Sequence, residues 1–490
     1  KKYGGFNGGN NAFYTIKINQ TGGNEFSIKR NEETVEISGD TYQGIVYFLD
    51  VFCGVRFYLP TDLFTSEGVD SVFIPKKLDI HHKPYALIFS TGFLGSDAYL
   101  WAKYHSNVYD QDLGLDQHTM TRRFYDSSIL KLYPEVYSAG RPKSIQAQDW
   151  EPDFTAPTLV NAALYSSRKF FEANPNQNYI SFGVMDSKRG YSGNYTVQQY
   201  SDMNAAFLNK LADSFKVYFP TKTIVYNLYS NVGNYPSFPL RDNILPITTY
   251  QLANAIGDKR FNDSTIDAYS KISKRVGNHD WAQGQGYLYP RIYTKLIDSF
   301  LLAYKKHGIK FDFAHLEMYP NWSLDGPKYY FMGKVYDNPE ANCDSMLILF
   351  CRDMFDQAER EMYGYFSTLE KLGTTMENDY PFSNRKLYNY KSQFMLTDEE
   401  QSLASLARVY INKALSKTNG VDHQRINFFS NGFKITEGLF QIKNKGMEPA
   451  EISAYETFLK DSIAGNVLYL GAAKDTSFLD NMKKIIKQIE

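Results

Sequence analysis

From Tyr85 to about residue 373, short apolar runs and long amphipathic stretches take turns along the chain. ALIFSTGF, YISFGVMD, KTIVYNLYS, NILPITTY and FDFAHLEMY read as strands, and LVNAALYSSRKFFEAN, VQQYSDMNAAFLNKLADSFKVYF and PRIYTKLIDSFLLAYKKHG read as helices among them. A chain that alternates in this way lays its strands parallel, because each helix returns the chain across the sheet before the next strand begins. Weaker strand signals at GLDQHTM and GQGYLYP bring the tally to about eight units in roughly 290 residues, which predicts a (β/α)8 TIM-type barrel over 83–373. A doubly wound open sheet is the alternative. The last helix is punctuated by Pro290 at its first turn and Gly308 just past its end.

The flanks follow other rules. AFYTIKIN, EFSIKR and VEISGD alternate like strands, TYQGIVYFLDVFCGV has helical spacing, and SVFIP closes the set as a strand, so residues 1–82 form a small α/β domain with HHKP as the linker. Beyond SMLILFCRDMFDQAEREMYGYFSTLEKL, read as a single long helix, strand signals stop, and residues 374–490 read as a helical C-terminal domain. Thr397 and Glu400 have capping-box spacing ahead of an apolar stripe at Leu403, Leu406, Tyr410 and Ile411.

Charge removes one class of partner. The 490 residues carry a net charge of -1 with no Lys/Arg run, so nucleic acid is not expected. The three cysteines, Cys53, Cys343 and Cys351, lack metal-type spacing and read as buried free thiols. No stretch is apolar and long enough to cross a bilayer, and the start KKYGGFNGGNN reads as a processed or trimmed terminus, compatible with a secreted, periplasmic or cell-surface protein. HExxH, CxxC, GxGxxG, P-loop and GxSxG signatures do not occur, so no metal or cofactor is expected.

In a barrel of this kind reactive groups sit at the C-terminal ends of the strands. Two strands end in a carboxylate, YISFGVMD in Asp186 and FDFAHLE in Glu317. Cleavage of a glycosidic bond uses two carboxyl groups, one protonating the leaving oxygen and one assisting attack or stabilising positive charge, so the two are the catalytic candidates. The bland reading makes Asp186 a turn cap or a partner of Lys188 or Arg189, and Glu317 a partner of His315 or Arg291. Glu135, Asp149 and Asp280 read as turn residues. Aromatic residues make up 16% of the chain, and all four tryptophans, Trp101, Trp150, Trp281 and Trp322, fall beside polar or Gly/Pro-rich sequence, where an indole can either stack on a sugar or lid the core. His118 and His315 are candidates for bonding sugar hydroxyls or orienting a carboxylate.

ISGDTYQGIVYFLDVFCGVRFYLP resembles the small α/β domain that precedes the barrel in α-glucuronidases and some hexosaminidases. LYPEVYSAGR, the DWEP loop, ISFGVMD and HLEMYPNW resemble glycoside hydrolase family 163, endo-acting β-N-acetylglucosaminidases on complex N-glycans. The resemblance implies a glycan substrate containing β-linked N-acetylglucosamine. Enzymes that use the substrate acetamide as nucleophile carry neighbouring acids, whereas VMDS carries one. A hydrolase for another sugar such as a uronoside, with Arg141, Arg189 or Arg291 for its carboxylate, and a barrel that only binds carbohydrate are the competing readings.

Overall fold

The computed structural model describes residues 14–21, 23–91, 96–105, 118–138, 140–186, 195–229, 232–249, 263–280, 282, 287–318, 320–379, 394–464 and 477–489. Its first sheet contains β1 (Thr15–Gln20), β2 (Phe26–Asn31), β3 (Thr34–Gly39) and β4 (Asp79–His82) in the order β1-β3-β2-β4. β1 runs parallel to β3, and β2 is antiparallel to β3 and β4. Helix α1 (Thr41–Cys53) starts where the Asp40 carboxylate accepts the Gln43 amide and stops at Gly54, whose φ of 65° suits a residue without Cβ. It lays Phe48 on Ile28, Val35 and Ile37.

The fourth strand is not SVFIP. That run buries Ile74 in the core of the first sheet and leaves Phe73 80% exposed, yet it pairs with no strand of the sheet. The strand forms instead at Asp79–His82, running into the expected linker, where His82 gains partners on both sides. Its ring stacks on Phe26 at 4.7 Å, and its Nε2 lies 2.7 Å from Asp337 Oδ1.

The second sheet is parallel throughout and curled, a half-barrel of β5 (Leu87–Thr91), β6 (Tyr179–Ser181), β7 (Thr223–Leu228), β8 (Ile244–Thr248), β9 (Arg275–Asp280) and β10 (Lys310–Glu317). The order β5-β10-β9-β8-β7-β6 leaves β5 and β6 at the edges. Eight strands are therefore not present among the described residues. Residues 114–117 of GLDQHTM and 284–286 of GQGYLYP lie outside them, and 287–290 are buried but form no strand. Val225, Leu245, Ile247 and Phe313 fill the inner face with Leu87, Phe89 and Tyr179. Gly277 lets β9 approach β8, since a Cβ there would strike the Ile247 side chain.

Helices α2 (Ser96–His105), α3 (Met120–Phe124), α4 (Ser127–Leu132), α5 (Leu159–Ala173), α6 (Val197–Tyr218), α7 (Asp263–Ile272) and α8 (Thr294–Lys306) accompany the strands. The start of α8 falls after Pro290, at Tyr293 with φ 56°, while Gly308 at φ 65° closes it as expected. Short α9 (Trp322–Asp325) and α10 (Lys328–Asp337) follow β10. The run read as one long helix is two, α11 (Cys343–Phe355) and α12 (Glu359–Asp379), broken where Asp356 takes a φ of 38°. Then come α13 (Asp398–Lys417), α14 (Gly420–Lys445), α15 (Pro449–Ala464) and α16 (Ser477–Ile489), with the Thr397/Glu400 capping box formed at the head of α13. One buried apolar cluster runs from Tyr58 through the strands to Ile489. The three cysteines are buried and free, and no helix among the described residues is long and apolar enough to cross a membrane.

Candidate functional site

YISFGVMD pairs as a strand only through its first residues. β6 matches β7 from Tyr179 to Ser181, and the Phe182 amide still donates to Val225 O at 2.8 Å. Past that point the neighbour is no longer a strand. Thr119 and Met120 donate their amides to Gly183 O, and the Gly183 amide donates to Thr119 Oγ1 at 3.0 Å. His118 Nδ1 lies 2.7 Å from Val184 O. A carbonyl only accepts, so this nitrogen carries the proton. His118 reaches that position with φ 54°, a backbone region that costs a residue with a side chain about 1–2 kcal/mol. The Met185 amide donates to Glu151 Oε1 at 2.5 Å and the Asp186 amide to Gln148 Oε1 at 3.3 Å. Two loops, through backbone amides and side chains together, thus carry the extended backbone out to Asp186.

Asp186 is exposed, and the Tyr229 hydroxyl donates to its Oδ1 at 2.8 Å. Tyr229 follows directly after β7, so the residue that holds Asp186 comes from the adjacent strand end. Burial, with the Asp186 hydrogen bond adding to it, pushes the Tyr229 hydroxyl up to about 12, and it remains a donor at neutral pH. His118 meets the Tyr229 ring edge-on, centroids 5.5 Å apart. Behind this group Glu151 is 5% exposed, and burial pushes its carboxyl up to about 8 against the opposing pull of the Met185 hydrogen bond. It is therefore protonated at neutral pH. Its Oε2 is buried with no hydrogen-bond partner.

Across the sheet, His315 of β10 stacks on His279 of β9 with centroids 4.3 Å apart and planes 16° from parallel, and packs on Phe89 of β5 at 4.9 Å. Glu317 is the last residue of β10, opposite Thr91 of β5 and two residues past His315, and its side chain lies outside what the structure describes. Asp280 ends β9 rather than sitting in a turn. One residue past His279, it lies on the opposite face, toward the helices, where it is 1% exposed and its charge is felt by Lys328 and Tyr336.

The structure brings His118 to Tyr229, which holds Asp186, and sets His315 beside the strand end that carries Glu317. It does not offer Trp101, Trp150 or Trp322 to them. Trp101, Trp150 and Trp322 are 3%, 5% and 2% exposed, with no ring face open for a sugar. Trp101 Nε1 donates to Phe57 O at 2.9 Å and Trp150 Nε1 to Gly140 O at 2.8 Å, which lets these indoles be buried without an orphaned N–H. Trp322 packs edge-on against Trp101, centroids 5.0 Å apart. Trp281 lies outside the described residues. Of the three arginines considered for a substrate carboxylate, Arg291 is 2% exposed and spends its Nε on the Tyr293 hydroxyl at 2.8 Å, Arg141 is exposed, and Arg189 lies outside the described residues.

No curated protein matches the chain in sequence. Solved structures that share its fold include the following two. One, described as a novel family GH115 4-O-methyl-alpha-glucuronidase, BtGH115A, with specificity for decorated arabinogalactans, is 10% identical, with 96% of this chain and 71% of that one covered and a TM-score of 0.58. The other is a family 89 glycoside hydrolase from Clostridium perfringens in complex with PUGNAc, 9% identical at a TM-score of 0.52. That match takes in 92% of this chain and 63% of the hydrolase, so the chain spans less than two thirds of its length. The sequence profile described as domain of unknown function (DUF4838) matches residues 70–366, from the approach to β4 through the half-barrel into α12, and the chain belongs to that family.

Proposed function

We propose that the chain is a glycoside hydrolase acting at the C-terminal mouth of the half-barrel on a complex glycan, at a β-linked N-acetylglucosamine. The observation that carries this reading is Asp186, an exposed carboxylate held at 2.8 Å by a tyrosine from the adjacent strand end, in a fold shared with glycoside hydrolases. An exposed acid needs no such partner for stability. Holding one oxygen leaves the other directed, as a group that stabilises developing positive charge or orients an acetamide requires. Glu317 acts as the proton donor to the leaving oxygen. The resemblance to family 163 supports the choice of sugar.

A binding-only barrel is the second reading, and the strand order favours it: β9, β8 and β7 stand between β10 and β6. The curl of the sheet has to bring the two carboxyl groups to about 5 Å for a retaining enzyme or ~6.5–9.5 Å for an inverting one. Incubation with N-glycans, uronoside oligomers and plant or algal polysaccharides, with products read by mass, separates the readings. Cleavage of N-glycans that disappears in Glu317→Gln and in Asp186→Asn supports the first. Release of uronic acid overturns the sugar, and binding without cleavage overturns the enzyme.

A further inference from the structure

We propose that Glu151, with Gln148 beside it, is a positioning residue for Asp186, and that the loop carrying both takes the place of a neighbouring strand at the one strand end where an exposed acid has to be fixed. The inference rests on the role given to Asp186 above.

A strand leaving its sheet exposes a row of backbone donors and acceptors, and such an edge wanders unless something pairs it. Past Phe182 that task passes to the backbone and side chains of two loop segments. Segment 118–120 takes the groups of Gly183 and Val184, and segment 148–151 takes the amides of Met185 and Asp186. The second segment is itself anchored. The Thr121 hydroxyl donates to Ala147 O at 2.8 Å, and Trp150 donates to Gly140 O. Tyr229 then fixes the Asp186 side chain, so backbone and carboxylate are held by different elements.

Glu151 is an expensive way to satisfy one amide. At 5% exposure its second oxygen has no partner, whereas a glutamine or a backbone carbonyl would serve the Met185 amide without burying an acid. Residues that break a local rule gather where function requires them. Loss of this clamp frees two consecutive amides and lets the Asp186 carboxylate move by a fraction of its own length, and a displacement of about 1 Å at a reacting group costs on the order of 10²-fold in rate.

The test uses the whole chain in three variants, Glu151→Ala, Glu151→Gln and Gln148→Ala. Hydrogen exchange at the amides of Met185 and Asp186 reads the clamp without any turnover. Exchange at both is expected to accelerate at least about tenfold in Glu151→Ala and at Asp186 in Gln148→Ala, while Glu151→Gln keeps protection because its amide oxygen still accepts. On an N-glycan that the wild type cleaves, kcat is expected to fall about 10²-fold in Glu151→Ala with KM within about twofold, and to be rescued in Glu151→Gln. A merely structural role would not give rescue together with a kcat-only loss. Unchanged exchange in either alanine variant, or kcat equal to wild type, overturns the proposal. Since Gln148 is exposed, its alanine variant keeps the test decisive if Glu151→Ala fails to fold. Wild-type protein that cleaves no glycan defeats the proposed function, and the exchange measurement still decides the clamp.

Discussion

At Asp186 the decisive contact is one phenol. A hydrogen bond to a charged group is worth about 1.5–3 kcal/mol, and Tyr229→Phe removes this one while keeping the ring that His118 packs against. The expected result is a kcat lower by roughly 10- to 100-fold with KM little changed, measured by steady-state kinetics on a cleaved glycan. An unchanged kcat would show that Asp186 is oriented by other means. Glu151 makes a second prediction, independent of activity. Unfolded, it ionises near its ordinary value of 4.5, but folded it holds its proton up to about 8. Between those limits the native state binds a proton that the unfolded state lacks, so stability falls as pH rises through the window and levels off above it. The limiting slope is about 1.4 kcal/mol per pH unit for one such group. Glu151→Gln is expected to flatten that part of the profile in denaturant titrations between pH 5 and 8, and an identical decline in the variant would rule Glu151 out as its source. Neither residue was legible beforehand. Asp186 and Glu317 stand out because a carboxylate ends an apolar run, but Tyr229 is one of 39 tyrosines and Glu151 lies in a loop 34 residues from the amide it holds. Trp101 and Trp150 are buried for a related reason: polar neighbours in sequence say nothing about a carbonyl waiting in the core for the indole N–H.

Among the elements, apolar runs were read well and polar ones were not. β7, β8 and β10 lie where the sequence places them, because strands buried on both faces are apolar nearly throughout. β9 reads RVGNHD and escaped notice. Its glycine is demanded by Ile247, its Asn278 accepts from Thr248 Oγ1 at 2.8 Å, and its histidine stacks on His315, none of which is a local property. The same blindness turned a pairing strand, β4, into a linker and lengthened β6 by five residues. The break between α11 and α12 is of another kind, since no glycine or proline marks it. Asp356 sits at φ 38°, where an L-residue is strained, and its side chain is exposed. Asp356→Gly is expected to stabilise the protein by about 1 kcal/mol, seen as a higher midpoint in denaturant at unchanged m-value. A loss of stability would mean that the Asp356 carboxylate contributes more than its backbone costs.

Taken whole, the molecule divides less cleanly than its sequence. The first sheet is tied to the half-barrel through Asp50, which takes Arg56 and Lys334 at 2.7 Å each, and through Asp353, which takes Arg56 and the Tyr58 hydroxyl at 2.8 Å each. Arg425 of α14 donates to Leu63 O at 2.6 Å and to Met354 O at 3.2 Å, joining the C-terminal helices to both. Thr436 of the same helix donates to Leu288 O at 2.8 Å, and Gly432 lies against Ser323 in α9, the short helix that follows β10. If residues 374–490 were a domain with its own core, a disturbance there would melt helices and leave the half-barrel intact. The continuous buried cluster argues for the opposite. A Cβ on Gly432 would strike Ser323 Oγ and come within 2.5 Å of its Cβ, so Gly432→Ala overpacks this seam by an amount that typically costs about 1–3 kcal/mol. All four tryptophans lie between residues 101 and 322, and none in the C-terminal helices, so their fluorescence follows the half-barrel while far-ultraviolet circular dichroism follows helices throughout the chain. The two signals are expected to unfold in one coincident transition in the wild type and to shift together in Gly432→Ala. Loss of helix ahead of the tryptophan signal, in either protein, would show that the C-terminal helices fold on their own and only lean on the half-barrel.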